Sequence, residues 1–347
     1  MTISGNLKNG VFVGPSLDGR GGMEQLARLY KTYFNVLYLP TNSPRGTFVG
    51  FFILVLTCIR LPFYRYNHKI LHIHLASGKS FFRKAFIALY GRCLGYKIIL
   101  HSHAGDLPQF VEKAGKPLAK TVFSMANVII ALSPYWKNYF ENTLNCKNVV
   151  VVPNFSDAAL VDKKEKRDNK IHFLYLGVLT KDKGVDLLLK AYKDVSEKFP
   201  DKTQLVIAGS GKLYKWMKEY SECEIGHGEV VFTGWVDCEE RNTLLNNADV
   251  VVLPSNYECQ PMALIEGMAS GCGIIATRVG GISDMVKHDV NGLLVDYGNI
   301  DNLAQAIAKY IECPDLIGRH KVENQKRSYS YTPTVVSTIL NDVYAGL

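Results

Sequence analysis

Short runs of β-branched and aliphatic residues alternate along the chain with longer stretches whose apolar residues recur at helical spacing. In the first half the runs predict strands at 10–13, 35–39, 70–74, 98–101, 128–132 and 149–152. In the second half they predict strands at 171–176, 204–208, 230–233, 250–253, 273–276 and 292–295. The stretches 185–198 and 302–311 carry helical periodicity, and 332–347 reads as an amphipathic helix with Val335, Val336, Ile339, Leu340, Val343 and Tyr344 on its apolar side. Strand–helix alternation implies parallel sheets covered by helices. Two such series predict an α/β chain of two Rossmann-like domains facing across a cleft. The charged, aperiodic stretch 157–169 is the expected linker. The expected domains are 1–160, 161–328 and a terminal helix 329–347. No tandem repeat is evident.

The most apolar run is 48–59, ended by Arg60 and Pro62. Twelve residues are too few to span a bilayer, for which about 18–20 are needed. Two readings fit: a buried helix, which the length favours, and a helix dipping into one leaflet beside Phe63, Tyr64, Arg65 and Tyr66.

With 47% hydrophobic and 21% charged residues over 347 positions, the chain is globular rather than disordered. Residues 1–160 hold 18 basic and 6 acidic side chains and the remainder 22 and 26, so the first half is strongly cationic. Such a half suits an anionic partner, nucleic acid or acidic lipid. The eight cysteines are scattered, with no paired ligand spacing, which fits a reducing cytosol. The polar first ten residues hold no apolar signal core, so secretion is not expected.

In open α/β sheets the residues just after the strands hold the ligand. After the first strand, GPSLDGRGGME (14–24) is glycine-rich, and Gly22 or Met23 would open a helix whose free N–H groups face an anion. The acidic residue a dinucleotide site wants about 20 positions later is missing, which counts against an NAD dehydrogenase. After the seventh strand, GVLTKDKG (177–184) puts Lys183 just before a helix, where an ammonium meets a phosphate. After the tenth, SNYECQPMALIEGMASG (255–271) places Pro261 as the first residue of a helix. The free amides of Met262, Ala263 and Leu264 then present positive ends, while Glu258 and Glu266 are placed to accept from sugar hydroxyls. The loops AGSG, with Gly209 and Gly211, and TGWV, with Trp235, follow the eighth and ninth strands. His72–His74 and His101–His103 form two HxH pairs at strand ends, and a third metal ligand at useful spacing is not visible. His103 precedes Ala104 and Gly105, which leave room for a ligand.

Taken together, these residues resemble the family-4 retaining glycosyltransferases of the GT-B fold, and among them those that build bacterial capsule, exopolysaccharide or O-antigen. The likeness covers nearly the whole chain and rests on GGME, HIHLAS with SFFRK, HSHAG, the KG turn and the seven-residue spacing of Glu258 and Glu266. The resemblance implies that the terminal helix crosses back to the first domain. It implies donor contacts at Gly21, Gly22, Lys183, Gly209, Gly211, Trp235, Glu258, Met262, Ala263, Leu264 and Glu266. It places His103 near the reacting carbon, with Glu258 on the donor sugar, Glu266 on the ribose and Lys183 on the diphosphate. It implies transfer of a hexosyl unit from a nucleoside-diphosphate sugar, UDP-linked, to a lipid-linked saccharide.

No cofactor and no metal are expected, since no paired-carboxylate motif of the DxD type ends a strand. The protein is then cytoplasmic and peripheral on the inner membrane, with no nucleic-acid partner. Arg60, Arg65, Lys69, Arg83 and Lys84 are the candidate acceptor or membrane cations. The chain departs from the family at Val178, where many members carry arginine; Lys181 is the candidate substitute. Two rivals remain: a non-catalytic sugar-nucleotide-binding subunit, and a sugar-nucleotide 2-epimerase on the same fold.

Overall fold

The computed structural model describes residues 5–158, 168–226 and 229–347. The chain divides into two compact units, one formed by Met1–Asp157 with Tyr331–Leu347 and the other by Ala158–Ser330. Most of the expected linker, 159–167, lies outside the described residues.

The first unit is built on a parallel sheet of β1 (Gly10–Gly14), β2 (Leu37–Pro40), β3 (Ile70–Leu75), β4 (Lys97–Ser102), β5 (Val128–Ala131) and β6 (Val149–Val151). Its order is β2-β1-β3-β4-β5-β6, so the direction of winding reverses between β1 and β3. The second unit holds β7 (Ile171–Leu176), β8 (Thr203–Ala208), β9 (Val230–Gly234), β10 (Val250–Leu253), β11 (Gly273–Thr277) and β12 (Leu293–Val295). Its order, β12-β11-β10-β7-β8-β9, places the reversal between β7 and β10. All twelve expected strands form, within a residue or two of the expected ends. Central strands such as β1, β10 and β11 are buried along their length, and for that reason their sequences run apolar without strict alternation; β3 is equally buried but carries His72 and His74 at alternate positions.

Eight helices shape the site and the surfaces of the two units: α1 (Gly22–Phe34), α2 (Thr47–Tyr64), α3 (Lys79–Cys93), α4 (Val185–Lys198), α5 (Cys238–Asn247), α6 (Met262–Ala269), α7 (Asp315–Ser328) and α8 (Pro333–Ala345). Helix α8 packs within the first unit. Val336, Leu340 and Tyr344 are buried, and Tyr344 stacks at 6.1 Å from Phe12 of β1. Asn341 accepts the backbone N–H of Asn6 at 2.6 Å, which fastens the helix to the turn ahead of β1.

Helix α2 corrects the favoured reading of the apolar run. It does not stop at Arg60 but continues through Pro62 to Tyr64, and only 11% of it is buried. Pro62 lies two residues before the end of the helix, where it has no N–H to donate to the ladder. Two tethers hold the helix to the unit. The Thr57 hydroxyl donates to the Pro40 carbonyl at 2.7 Å, and the Leu61 carbonyl accepts from the Tyr96 hydroxyl at 2.7 Å. Ile53, Leu54 and Cys58 are half-buried, and much of the remaining apolar surface is bare, with Phe48 75% and Phe63 76% exposed.

Candidate functional site

In the second unit the reversal point lies between the β7 and β10 ends, and both loops there are tightly fitted. Gly184 takes a left-handed φ of 65°, and a Cβ at that position would stand 1.9 Å from the Pro254 carbonyl oxygen. Only glycine lets the turn Lys181–Lys183 press against the loop after β10. The Asn256 N–H donates to the Asp182 carbonyl at 2.8 Å and locks the two loops together.

This fit brings Lys183 Nζ to 2.6 Å from Glu258 Oε1, and the Ser255 hydroxyl donates to the same oxygen at 2.9 Å. Ser255 is itself fully buried and its carbonyl accepts from the Thr277 hydroxyl, so Glu258 is held by a chain running back to β11. The Tyr175 hydroxyl donates to the Val178 carbonyl at 2.9 Å. Burial, and then the nearby Glu258 carboxylate, push the Tyr175 phenol far above its ordinary range, so it stays a donor. The side chain of Val178, the departure named from the sequence, is exposed, and Lys181 is exposed on the same loop.

The loops after β7, β8 and β9 are stitched edge to edge. Gly177 N–H donates to Ala208, and Gly209 N–H donates to Gly234. A Cβ on Gly209 would lie 1.8 Å from the Gly177 carbonyl oxygen, and one on Gly211 2.4 Å from that of Leu179. Gly209 and Gly211 are therefore required by this close approach whatever else they bind. Trp235, 41% exposed, follows directly.

Pro261 is not the first helical residue but the N-cap of α6, with extended ψ of 129°. The Leu264 N–H is consumed by the Pro261 carbonyl at 3.2 Å, so it is not among the free amides. Helix geometry leaves the Met262 and Ala263 amides without an intrahelical acceptor. Glu266 is buried one turn further on, and Arg241 Nη1 of α5 lies 3.4 Å from its Oε1. Arg241 gave no signal in the sequence. Its helix is fixed by a capping box in which Asp237 accepts from Glu239 and Glu240 N–H groups and Glu240 accepts from Asp237 N–H.

In the first unit the glycine loop ends at the β1/β3 reversal, and α1 starts at Gly22 behind Gly21. The Glu24 carboxylate folds over Gly19 and Gly21, and Arg28 straps the loop by donating to the Leu17 and Gly19 carbonyls at 2.7 and 3.1 Å. An acidic group thus stands beside the amides expected to meet an anion.

The histidines form one cluster. Strands β3 and β4 pair His74 with His101 in register, which sets His72, His74, His101 and His103 on one face. His74 Nδ1 and His103 Nε2 are 2.9 Å apart, His72 Nε2 and His101 Nδ1 3.1 Å, and the Tyr344 hydroxyl is 3.0 Å from His72 Nδ1. Burial first, and the neighbouring imidazoles after it, hold His72, His74 and His103 well below the ordinary histidine value. Burial lowers His101 to about 3. The Tyr30 hydroxyl, His74 Nε2, His101 Nε2 and His103 Nδ1 are buried with no partner among the described residues. The expectation of no third ligand is corrected, since His72, His74 and His101 offer nitrogens within 4.8 Å of one another. A metal ion there would have to replace the bond that His72 and His101 make to each other.

The five candidate cations separate. Arg60 and Lys69 are exposed. Arg65 is half-buried and committed, donating to the Gly95 carbonyl at 3.0 Å with its guanidinium over the Tyr96 ring. Arg83 is half-buried. Lys84 is buried and cannot form part of an outer face. Burial, and then Arg83, lower its ammonium to about 7 against the opposing pull of Glu24.

Residues 156–329 match the model of the family described as Glycosyl transferases group 1. An uncharacterised glycosyltransferase of Methanocaldococcus jannaschii is 34% identical over 146 residues, 42% of this chain and 37% of that protein. Another from the same organism is matched over 54% of its length, so the chain spans about half or less of these curated relatives. Among solved structures, sucrose-phosphate synthase of Thermosynechococcus elongatus superposes with a TM-score of 0.80 at 17% identity, over 97% of this chain and 98% of that one. HepE of Anabaena, in complex with UDP-glucose, gives 0.78 at 17% identity over 97% and 100%. With the two six-stranded parallel sheets, these likenesses identify the fold as GT-B.

Proposed function

Because the chain belongs to the group 1 glycosyl transferases, we propose that it is a retaining hexosyltransferase of family 4. It moves a sugar from a UDP-sugar to a lipid-linked glycan in bacterial surface polysaccharide synthesis, at the cytoplasmic face of the inner membrane. The observation that carries this reading is the Lys183–Glu258 pair at the β7/β10 reversal, held from below by Ser255. A similar fold, HepE, has been solved with UDP-glucose, which supports a UDP-linked donor.

In this reading Lys183 meets the donor diphosphate and Glu258, released from it, accepts from donor-sugar hydroxyls. The anomeric C–O bond breaks with its electron pair leaving on the diphosphate. Lys183 and the open amides of Met262 and Ala263 are preorganised for that growing charge, so no metal is needed. The acceptor hydroxyl forms the new C–O bond on the same face, and its proton passes to the departing phosphate. Glu266, oriented by Arg241, takes the ribose. His103, tied through Nε2 to His74 and held neutral, orients the sugar as a hydrogen-bonding group rather than a base.

The test is a panel of UDP- and GDP-sugars with EDTA present, with lipid-linked glycan as acceptor, using wild type and Glu258→Ala. Turnover with one UDP-sugar that survives EDTA and is lost in the variant is expected. The exposed Val178 favours one second reading, a non-catalytic donor-binding subunit. Binding without turnover would select it, and no binding at all would remove the donor site.

A further inference from the structure

The first unit carries an apolar face that its own described residues leave uncovered. On α2, Phe48, Phe51, Phe52, Val55, Ile59 and Phe63 recur at spacings of three, one, three, four and four, so they form a single stripe along the helix. Thr57 and Leu61, which tie the helix down, are buried on its other side. On α3, Phe82, Phe86 and Leu89 make a second stripe, each just over half exposed, while Phe81, Ile87 and Ala88 pack inward. The C-terminal ends of the two helices are joined through the Tyr96–Leu61 and Arg65–Gly95 bonds.

Charge decides the occupant. No acidic residue occurs between Glu24 and Asp106, and eleven lysines and arginines do. Arg45 and Lys69 flank α2 and Arg60 lies on it, all with exposed side chains, and Lys79 and Arg92 lie at the two ends of α3. A second copy of the chain would bring the same unrelieved positive charge to the contact. A bilayer rich in anionic lipid supplies both the apolar layer and the opposite charge.

We infer that the α2 and α3 stripes dock the first unit onto an anionic membrane. Helix α2 lies in the plane of the headgroup–acyl boundary rather than crossing it, although it is long and apolar enough to cross by length and composition. Its stripe runs the length of the helix and its opposite side is held to the unit, which suits an in-plane helix. Docking rests on the transferase reading for its purpose, since the acceptor there is lipid-linked, but vesicle binding is measured without turnover.

The experiment is co-sedimentation of the full chain with sucrose-loaded vesicles of phosphatidylcholine, with and without about 30% phosphatidylglycerol (the order of anionic content that attracts polybasic surfaces). Wild type is expected to bind the anionic vesicles at least tenfold more tightly, and a Phe48→Ser/Phe52→Ser/Phe63→Ser variant to lose at least tenfold. A Phe52→Trp variant is expected to be quenched by lipids brominated near the headgroup and not by those brominated at the chain ends. Circular dichroism of the triple variant, whose changed side chains are exposed, checks that it is folded. Equal binding by wild type and the folded triple variant would overturn the inference. So would a lipid-free dimer, in sedimentation velocity, that the triple variant abolishes, because a second copy would then own the face. Donor hydrolysis is measured in parallel. Wild type that hydrolyses donor but does not bind anionic vesicles defeats docking alone, and wild type that binds vesicles without turnover on any donor defeats the transferase reading alone.

Discussion

Mild acid should unfold the first unit, and the histidine cluster sets how steeply. In the folded chain His101 is held at about 3, and His72, His74 and His103 well below their ordinary value. The groups that face them are Tyr30, Tyr344, the Lys84 ammonium and one another, and none supplies a compensating negative charge. In the unfolded chain each imidazole titrates near the usual value of about 6.5. The unfolded state therefore binds more protons once pH falls below that, and stability drops with it. At pH 5.5 each histidine costs about 1.4 kcal/mol, because only the unfolded state is protonated there. Four of them cost about 5–6 kcal/mol, against a whole-domain stability of about 5–15 kcal/mol. Trp136, buried in the first unit, reports this, whereas Trp216 and Trp235 of the second unit are 38% and 41% exposed. Urea titrations followed by the blue-shifted emission of Trp136 at pH 8, 7, 6 and 5.5 should show a shallow fall of about 1 kcal/mol from pH 8 to pH 7, set by Lys84, and a steeper fall below it. His72→Phe should remove about a quarter of the slope. A urea midpoint that stays flat from pH 8 to 5.5 would refute the reasoning, since it would require the buried imidazoles to titrate normally.

Three further outcomes are expected. Lys183→Ala should lower kcat by about 10²–10³ with donor KM changed far less, as removal of a preorganised cation does; steady-state kinetics on the preferred donor check it. Arg241→Ala leaves the Glu266 carboxylate buried without its cation, so a loss of about 3 kcal/mol in urea unfolding is expected. Its milder partner Arg241→Lys should blur the preference for a ribose over a 2′-deoxyribose donor. Lys84→Met should raise the melting temperature at pH 7, where the folded chain has to keep an ammonium buried. The wild type should gain stability between pH 7 and pH 10 as that ammonium loses its proton, and the variant should not.

The fold was legible because buried parallel strands read as short apolar runs: β10 and β11 are nearly all apolar, and β3, β4 and β9 keep enough β-branched and aliphatic residues to show despite their polar positions. The loops that bring Lys183 and Glu258 together were legible for a related reason: both lie just beyond strand ends at the sheet's reversal, where open parallel sheets offer a ligand crevice, although their pairing at 2.6 Å was not. What was not legible depended on adjacency in space. His72-x-His74 and His101-x-His103 looked like two isolated pairs until the register of β3 against β4 merged them. Arg241 is an ordinary helical arginine until α5 sets it over Glu266. Lys84 sits in a basic cluster that reads as surface, yet the α3 side that packs inward claims it. The apolar run of α2 was the largest misreading. Composition fixes that a helix forms there, but which of its sides is covered is decided by tertiary bonds to Pro40 of β2 and to Tyr96, which the pattern of the run does not encode.

The placement of Tyr344 has a consequence for how the chain is made. The first unit is discontinuous: its last helix arrives only after the 173 residues of 158–330 have been synthesised. At about 5–20 residues per second, that is a delay on the order of ten seconds or more. Throughout it, the groove of Phe12, His72 and Gly10 that α8 fills is open, because Tyr344 has not yet been made. The second unit, whose strands are contiguous in sequence, can finish first. The order of maturation therefore runs against the order of translation, and the nascent amino-terminal part keeps apolar surface uncovered through the interval. Release variants that end before α8 should then leave an intact carboxy-terminal unit attached to an unfinished one.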